Sequence, residues 1–127
     1  MDTIKLEIVT PKGPIFNGNV KSVTLPGSEG EFGVLAGHAS TLALLKTGVI
    51  DIEKSDSKHD LVAITSGYAE VDESKVMILA DDAVYVGGEG ESEIAESIKK
   101  IESLLKEIKS DPIVVESVIS DIKKIKS

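Results

Sequence analysis

The hydrophobic period of this chain changes once, near residue 90, and that change governs what it can fold into. Upstream the period is two. Ile4, Leu6 and Ile8 alternate with Lys5 and Glu7, and Val23 and Leu25 alternate with Ser22 and Thr24. Alternation of this kind puts one face of a strand in a core and the other in water. Downstream the period is 3.6. Ile94, Ile98, Ile101, Leu105 and Ile108 fall at spacings of 4, 3, 4 and 3 along one helical face. The chain is therefore expected to be a β-body followed by helices, with no helix-period segment between strands to build a parallel βαβ sheet.

Turn chemistry divides the upstream part into short strands. Pro11-Lys12-Gly13-Pro14 breaks the first, and Asn17-Gly18-Asn19 reads as a turn. Thr41 to Lys46 is a short apolar strand, and Thr47-Gly48 turns it into Val49 to Glu53. The run from Lys54 to Lys58 is a hairpin loop leading to Leu61 to Thr65, and His59 in that loop is expected to be a solvated surface residue. Ser66-Gly67 leads to Tyr68 to Val71, and Asp72 to Lys75 to Val76 to Ala80. Strands spaced roughly 8–12 residues apart with such turns read as an antiparallel sandwich or barrel.

One stretch fits neither strand nor linker. Leu25 to His38, L-P-G-S-E-G-E-F-G-V-L-A-G-H, holds four glycines, yet Phe32, Val34 and Leu35 are apolar. It is expected to be a shaped, partly packed surface loop between two strands, presenting Glu29 and Glu31 to a partner.

Gly87-Gly88-Glu89-Gly90 reads as a flexible joint, which divides the chain into a sandwich at 1–86, a hinge at 87–91 and a helical hairpin at 92–127. Ser92 is the expected cap of the first helix. Asp111 should cap the second, with Pro112 at its first helical position. Val114 or Val115, Val118, Ile122 and Ile125 form the second apolar stripe of this antiparallel hairpin. Helices of this length are marginal alone in water, so the hairpin should depend on a neighbour and could exchange docking sites. Charge divides along the same line. Residues 1–90 carry 7 Lys and 14 acids, and residues 91–127 carry 7 Lys and 8 acids.

Composition narrows the function. The net charge of -8 repels phosphate backbones and argues against nucleic-acid binding. Every basic residue is lysine, so the bidentate guanidinium clamp for phosphate is missing. Cysteine is absent, which excludes disulfides and thiolate chemistry. The first residues carry no signal-peptide pattern, and no apolar run approaches a membrane span of about 20 residues. A soluble chain, or one attached to a membrane through partners, is expected.

Catalytic chemistry is hard to place. His38 and His59 are the only histidines, and neither has a neighbouring nucleophile in the sequence. Gly27-Ser28-Glu29-Gly30 lacks the Gly-Lys-Ser/Thr ending of a phosphate loop. Asp81-Asp82 reads as a pair of strand-end surface acids, and Glu29 and Glu31 as contact residues rather than an acid–base pair. No catalytic residue, metal or cofactor is expected.

The stretch from Leu25 to His38 resembles the signature of the epsilon subunit of F-type ATP synthases, called delta in mitochondria. The resemblance continues through Leu45-Lys46-Thr47-Gly48-Val49-Ile50, Ser66-Gly67-Tyr68-Ala69-Glu70-Val71 and Val76 to Ala83, in order. It implies a ten-stranded sandwich with two helices, placed in the rotor's central stalk of a proton-translocating complex. It implies a non-catalytic subunit, peripheral on the cytoplasmic face of the bacterial cell membrane. It implies contact of Ser28, Glu29, Gly30 and Glu31 with the c-subunit ring, and of His38, Ala39, Thr41 and Ala43 with the gamma subunit. The helices would reach the alpha and beta catalytic subunits and restrain ATP hydrolysis. An alternative implied by the resemblance is an ATP-sensing module whose hairpin closes on nucleotide near Glu91 and Ala95. Ile94 stands where the nucleotide motif carries a basic residue.

Overall fold

The computed structural model describes residues 3–87 and 90–126, apart from the Glu91 side chain. Among them are ten strands and two helices. The strands are β1 (Ile4–Thr10), β2 (Gly13–Val20), β3 (Ser22–Gly27), β4 (Gly30–Val34) and β5 (Thr41–Leu45), then β6 (Gly48–Glu53), β7 (His59–Ile64), β8 (Gly67–Val71), β9 (Lys75–Ala80) and β10 (Ala83–Val86). The helices are α1 (Glu91–Glu107) and α2 (Pro112–Lys126).

The strands form a two-layer sandwich. One layer runs β10-β7-β6-β3, with β4 on the far edge of β3, and the other runs β5-β8-β9-β1-β2. A single pairing, Gly27 opposite Leu45, joins the two. All pairings are antiparallel except β1 with β9, which is parallel. The alternating residues read from the sequence meet between the layers, where Ile4, Leu6, Ile8, Val23 and Leu25 are fully buried. With so few aromatics the core is aliphatic, and packing density comes from interdigitated branched side chains.

β7 is buried on both faces. Val62 and Ile64 point into the sandwich, whereas Leu61 and Ala63 belong to a second core with Val49 and Val86. The helices cover that second core with Ile98, Ile101 and Leu105 of α1 and Val118 and Ile122 of α2. This is the neighbour that the helical stripes require. α1 lies over β10, and α2 over β6 and β7.

Helix boundaries are partly as the sequence implies. Asp111 Oδ1 accepts the Ile113 amide at 2.8 Å, and α2 begins at Pro112. α1 ends in a left-handed turn. Lys109 has φ 55°, its amide bonds to the Lys106 carbonyl, and the Ser110 amide bonds to the Leu105 carbonyl. That is the hydrogen-bond pattern of a Schellman closure, with lysine in the place glycine usually takes. Ser92 is not the cap of α1. Gly90 occupies that position with no side-chain hydrogen bond, and Ser92 lies exposed in the first turn. Ile108, expected on the buried stripe, follows the last helical residue and is 47% exposed. Residues 88 and 89 of the expected hinge lie outside the described residues.

Two further expectations are corrected. Asn17-Gly18-Asn19 is not a turn but the middle of β2, where Asn17, Gly18 and Asn19 pair with Glu7, Leu6 and Lys5. β2 is an edge strand, so exposed Asn17 and Asn19 need no turn to reach water. Leu25 to Val34 is not a loop but the β3–β4 hairpin, closed by the turn Ser28-Glu29. Its apolar residues are strand residues, with Leu25 opposite Phe32 and Val23 opposite Val34. Glycine is required at its tip. A Cβ on Gly27 would stand 2.5 Å from the Gly30 carbonyl oxygen, and Gly30 has φ +133°.

Candidate docking surface

The outer face of the second layer carries the feature that sets this molecule apart. Register places Leu44 of β5 opposite Tyr68 of β8, Tyr68 opposite Leu79 of β9, and Leu79 opposite Val9 of β1. Successive residues of a strand point to opposite faces, so these four share one row on the outside. Leu44 is 69% exposed, and Leu42, two residues earlier on the same face of β5, is 70% exposed. The next row, Leu42–Glu70–Met77–Glu7, is half charged, and Lys5 and Lys75 flank Glu7 at 3.5 and 3.6 Å. The first layer has its outer apolar face covered by the helices, and the second layer does not.

The tip of the β3–β4 hairpin adjoins the apolar row. The Ser28 amide donates to the Leu44 carbonyl at 2.8 Å, and the Lys46 amide donates to the Pro26 carbonyl at 2.9 Å. Between the tip and β5 runs a groove of about 440 Å³, lined by Gly27 to Gly30, Phe32 and Thr41 to Leu44. Thus Ser28, Glu29 and Gly30 share one groove with Thr41 and Ala43. Glu31 does not join them. It lines clefts of about 310 and 460 Å³ on the opposite side, between the sandwich and α2, together with Asp121. Glu29 and Glu31 line different cavities, so they are no acid–base pair.

The segment after the hairpin is pinned. Gly37, at φ +86°, donates its amide to the Glu73 carbonyl, and the His38 amide donates to the Leu35 carbonyl at 3.2 Å. His38 Nδ1 lies 2.7 Å from the Ala39 carbonyl, which also accepts the Thr41 hydroxyl at 3.1 Å. Thr41 is exposed, while Ala43 is half-buried on the inward side with Leu45. Leu42 and Leu44 are the outward residues of β5. Sequence reasoning missed them because a short apolar strand does not reveal which side is uncovered. The signal available was the strand's continuous apolar run beside the two-sided run of β7.

Other candidate residues fall elsewhere. Asp81 accepts the Ser66 hydroxyl at 2.7 Å, and Asp82 accepts the Ala83 amide and lies 3.4 Å from Lys12 Nζ, both in the β9–β10 turn. His59 is not a solvated loop residue. It opens β7, is half-buried, and places Nδ1 2.7 Å from Asp51 Oδ1 across the β6–β7 pair. Ala95 is exposed on α1, and the Glu91 side chain lies outside the described residues. Ile94 packs against the second core, so the motif's basic position is occupied by a core side chain.

One polar cluster was not legible in the sequence. Asp60 is 3% exposed, accepts the Tyr85 hydroxyl at 2.6 Å and lies 3.4 Å from Lys54 Nζ. Desolvation, then the hydrogen bond and charge of Asp60, push the Tyr85 hydroxyl from 10.0 up to about 12. Tyr85 also meets Phe16 at 6.4 Å between ring centroids, tying β10 to β2. Among the described residues no group of three or more His, Cys, Asp or Glu could hold a metal, and no helix is long and apolar enough to cross a membrane.

The fold is a ten-stranded sandwich with one face covered by helices and one open, partly apolar face. Residues 3–86 match the family described as ATP synthase, Delta/Epsilon chain, beta-sandwich domain. The chain is 60% identical over 111 residues to the ATP synthase epsilon chain of Campylobacter concisus, covering 87% of this chain and 86% of that one. It is 61% identical over 106 residues to the corresponding chain of Campylobacter fetus subsp. fetus, covering 84% and 82%. Among solved structures it resembles a chain in the cryo-EM structure of Euglena gracilis mitochondrial ATP synthase, OSCP/F1/c-ring in rotational state 1. There the TM-score is 0.64 at 26% identity, covering 99% of this chain and 76% of that chain. The chain belongs to the delta/epsilon family of ATP synthase subunits.

Proposed function

We propose that this protein is the non-catalytic epsilon subunit of a proton-translocating F-type ATP synthase, sitting in the rotor's central stalk on the cytoplasmic face of the membrane. Its sandwich at 1–86 couples the gamma subunit to the c ring. The gamma contact falls on His38, Ala39, Thr41 and Ala43 and extends to Leu42, Leu44 and Tyr68. The c-ring contact falls on Ser28, Glu29, Gly30 and Glu31. The helical hairpin at 92–127, joined at 87–91, faces the alpha and beta subunits and restrains ATP hydrolysis.

The observation that carries this reading is the open apolar row Leu44–Tyr68–Leu79–Val9 beside the hairpin tip. Contiguous apolar surface of this kind marks an interaction site. Burying an exposed leucine contributes about 1.5–3 kcal/mol. The family's named relatives are ATP synthase chains, and the Euglena gracilis structure is titled as containing a c-ring. Leu44→Asp puts a charge at the centre of the row without touching either core. The variant is expected not to co-purify with gamma from native membranes while keeping its melting temperature. Retention at the wild-type ratio would overturn the reading.

A further inference from the structure

β5 is paired fully on one side only. Toward β8 it pairs along its whole length, from Thr41 opposite Val71 to Leu45 opposite Gly67. On the other side its last residue alone has a partner, Gly27. The bonds at that rung fix which backbone groups face the open side. The Leu44 carbonyl accepts the Ser28 amide, and the Lys46 amide donates to the Pro26 carbonyl. Backbone groups of a strand alternate sides, so Leu42 and Leu44 point away from β8 while Thr41, Ala43 and Leu45 bond to it. The bonding of β8 agrees. The Ser66 carbonyl just before it accepts the Asp81 amide, so Tyr68 and Glu70 bond toward β9, and Gly67, Ala69 and Val71 toward β5. Among the described residues, the amide and carbonyl of Leu42 and the amide of Leu44 therefore have no strand beside them. They open on the groove of about 440 Å³, where the chain turns back at Ser28-Glu29.

We propose that this open edge takes an extended segment of the partner as an added β-strand, a mode of attachment that rests on the docking reading above. The Leu42 and Leu44 amides recur about 7 Å apart along the strand, a spacing that a second backbone matches and a lone side chain does not. An unpaired edge is a template for strand addition, and no proline or lysine between Thr41 and Leu45 guards this one. Main-chain bonds supply the affinity in such contacts, and alternate side chains supply the specificity. Apolar side chains on the added strand extend the exposed face of Leu42 and Leu44, with half-buried Phe32 in the groove wall. Glu29 at the tip and Glu70 opposite Leu42 have no ion-pair partner among the described residues. The segment that fits is therefore apolar at alternate positions and basic beside them.

A backbone contact is separated from a side-chain contact by two variants at one position. Leu42→Ala removes the side chain and keeps the amide. Leu42→Pro also removes the amide, on the side of β5 that faces away from its ladder, where proline is tolerated. Purified gamma should bind the intact 127-residue chain about tenfold more weakly with Leu42→Pro than with Leu42→Ala, at closely similar melting temperatures. Equal losses in the two variants would overturn strand addition and leave the docking reading standing. Wild-type binding in both would overturn the two together. Amide exchange of the wild-type chain, followed by NMR, needs no variant. The Leu42 amide should slow by about a hundredfold when gamma binds, because it becomes hydrogen-bonded. A complex that forms while this amide keeps its free rate would overturn strand addition alone.

Discussion

Leu44 and Tyr68 stand directly opposite each other on β5 and β8, both exposed, on the one broad face of the sandwich that the helices leave open. The pair is the centre of the apolar row. Tyr68→Ser should weaken association with gamma by about 1–3 kcal/mol and leave folding unchanged, because Tyr68 is 39% exposed and outside both cores. Binding of purified gamma, read beside a melting curve, checks this.

Glu29 and Glu31 face opposite sides of the β3–β4 hairpin, and charge reversal should separate them. Glu29→Lys and Glu31→Lys are both exposed changes that keep the fold. Under the proposed c-ring contact each lowers proton-driven ATP synthesis in reconstituted vesicles. Glu29→Lys, at the tip, should have the larger effect. Glu31→Lys should also tighten α2, because it brings an ammonium near Asp121 across the cleft. Unchanged synthesis in both variants would contradict the contact.

Tyr85 predicts a pH effect with a definite sign. Its folded-state hydroxyl titrates near 12 and its unfolded one near 10.0, so the folded chain holds this proton more tightly. The contribution is fully present below pH 10 and is lost as pH rises from 10 through 12. Tyr85 is 43% exposed, so water screens part of it and the loss is modest. Tyr85→Phe should flatten this part of the stability curve. At pH 7 the same variant removes a hydrogen bond from Asp60, which is 3% exposed, and should cost about 1–3 kcal/mol. Urea melts at several pH values read both effects.

Two glycines should respond in opposite ways to alanine. On Gly67 a Cβ would lie 2.2 Å from the Leu79 carbonyl oxygen and 2.9 Å from Ala80 Cα, both backbone atoms of the paired strand. Gly67→Ala should lower stability by about 2–4 kcal/mol or prevent folding. On Gly33 a Cβ meets nothing within 4 Å. Gly33→Ala should be neutral or stabilising by up to about 1 kcal/mol through the unfolded chain.

Much of this architecture was legible because period reports burial directly. β1, β3 and β9 bury alternate residues, and α1 buries Ile98, Ile101 and Leu105 at the helical spacing. Two of the departures share one cause: residues that favour turns also occur inside strands. Asn17-Gly18-Asn19 lies in a strand because β2 is an edge, and Gly27, Gly30 and Gly33 lie in a hairpin whose ladder tolerates or needs them. For the candidate surface, the sequence located the tip and the segment after it. It did not show that β5 turns Leu42 and Leu44 outward, since that depends on which layer the helices cover. Nor could it bring Asp60 and Tyr85 together, 25 residues apart and joined only by the β7–β10 pairing.

Among the described residues, Gly27 opposite Leu45 is the one strand pairing between the two layers. A load applied to the Ser28-Glu29 tip enters both sheets at that point, through the Ser28–Leu44 and Lys46–Pro26 bonds. Elsewhere the layers resist sliding mainly through interlocked aliphatic side chains, with the Phe16–Tyr85 contact and the Lys12–Asp82 ion pair at the margin. The stiffness of the sandwich against shear is therefore a property of its core packing. Trimming a single buried methyl group, as in Ile78→Val, would soften the coupling between tip and far face before it unfolded the molecule.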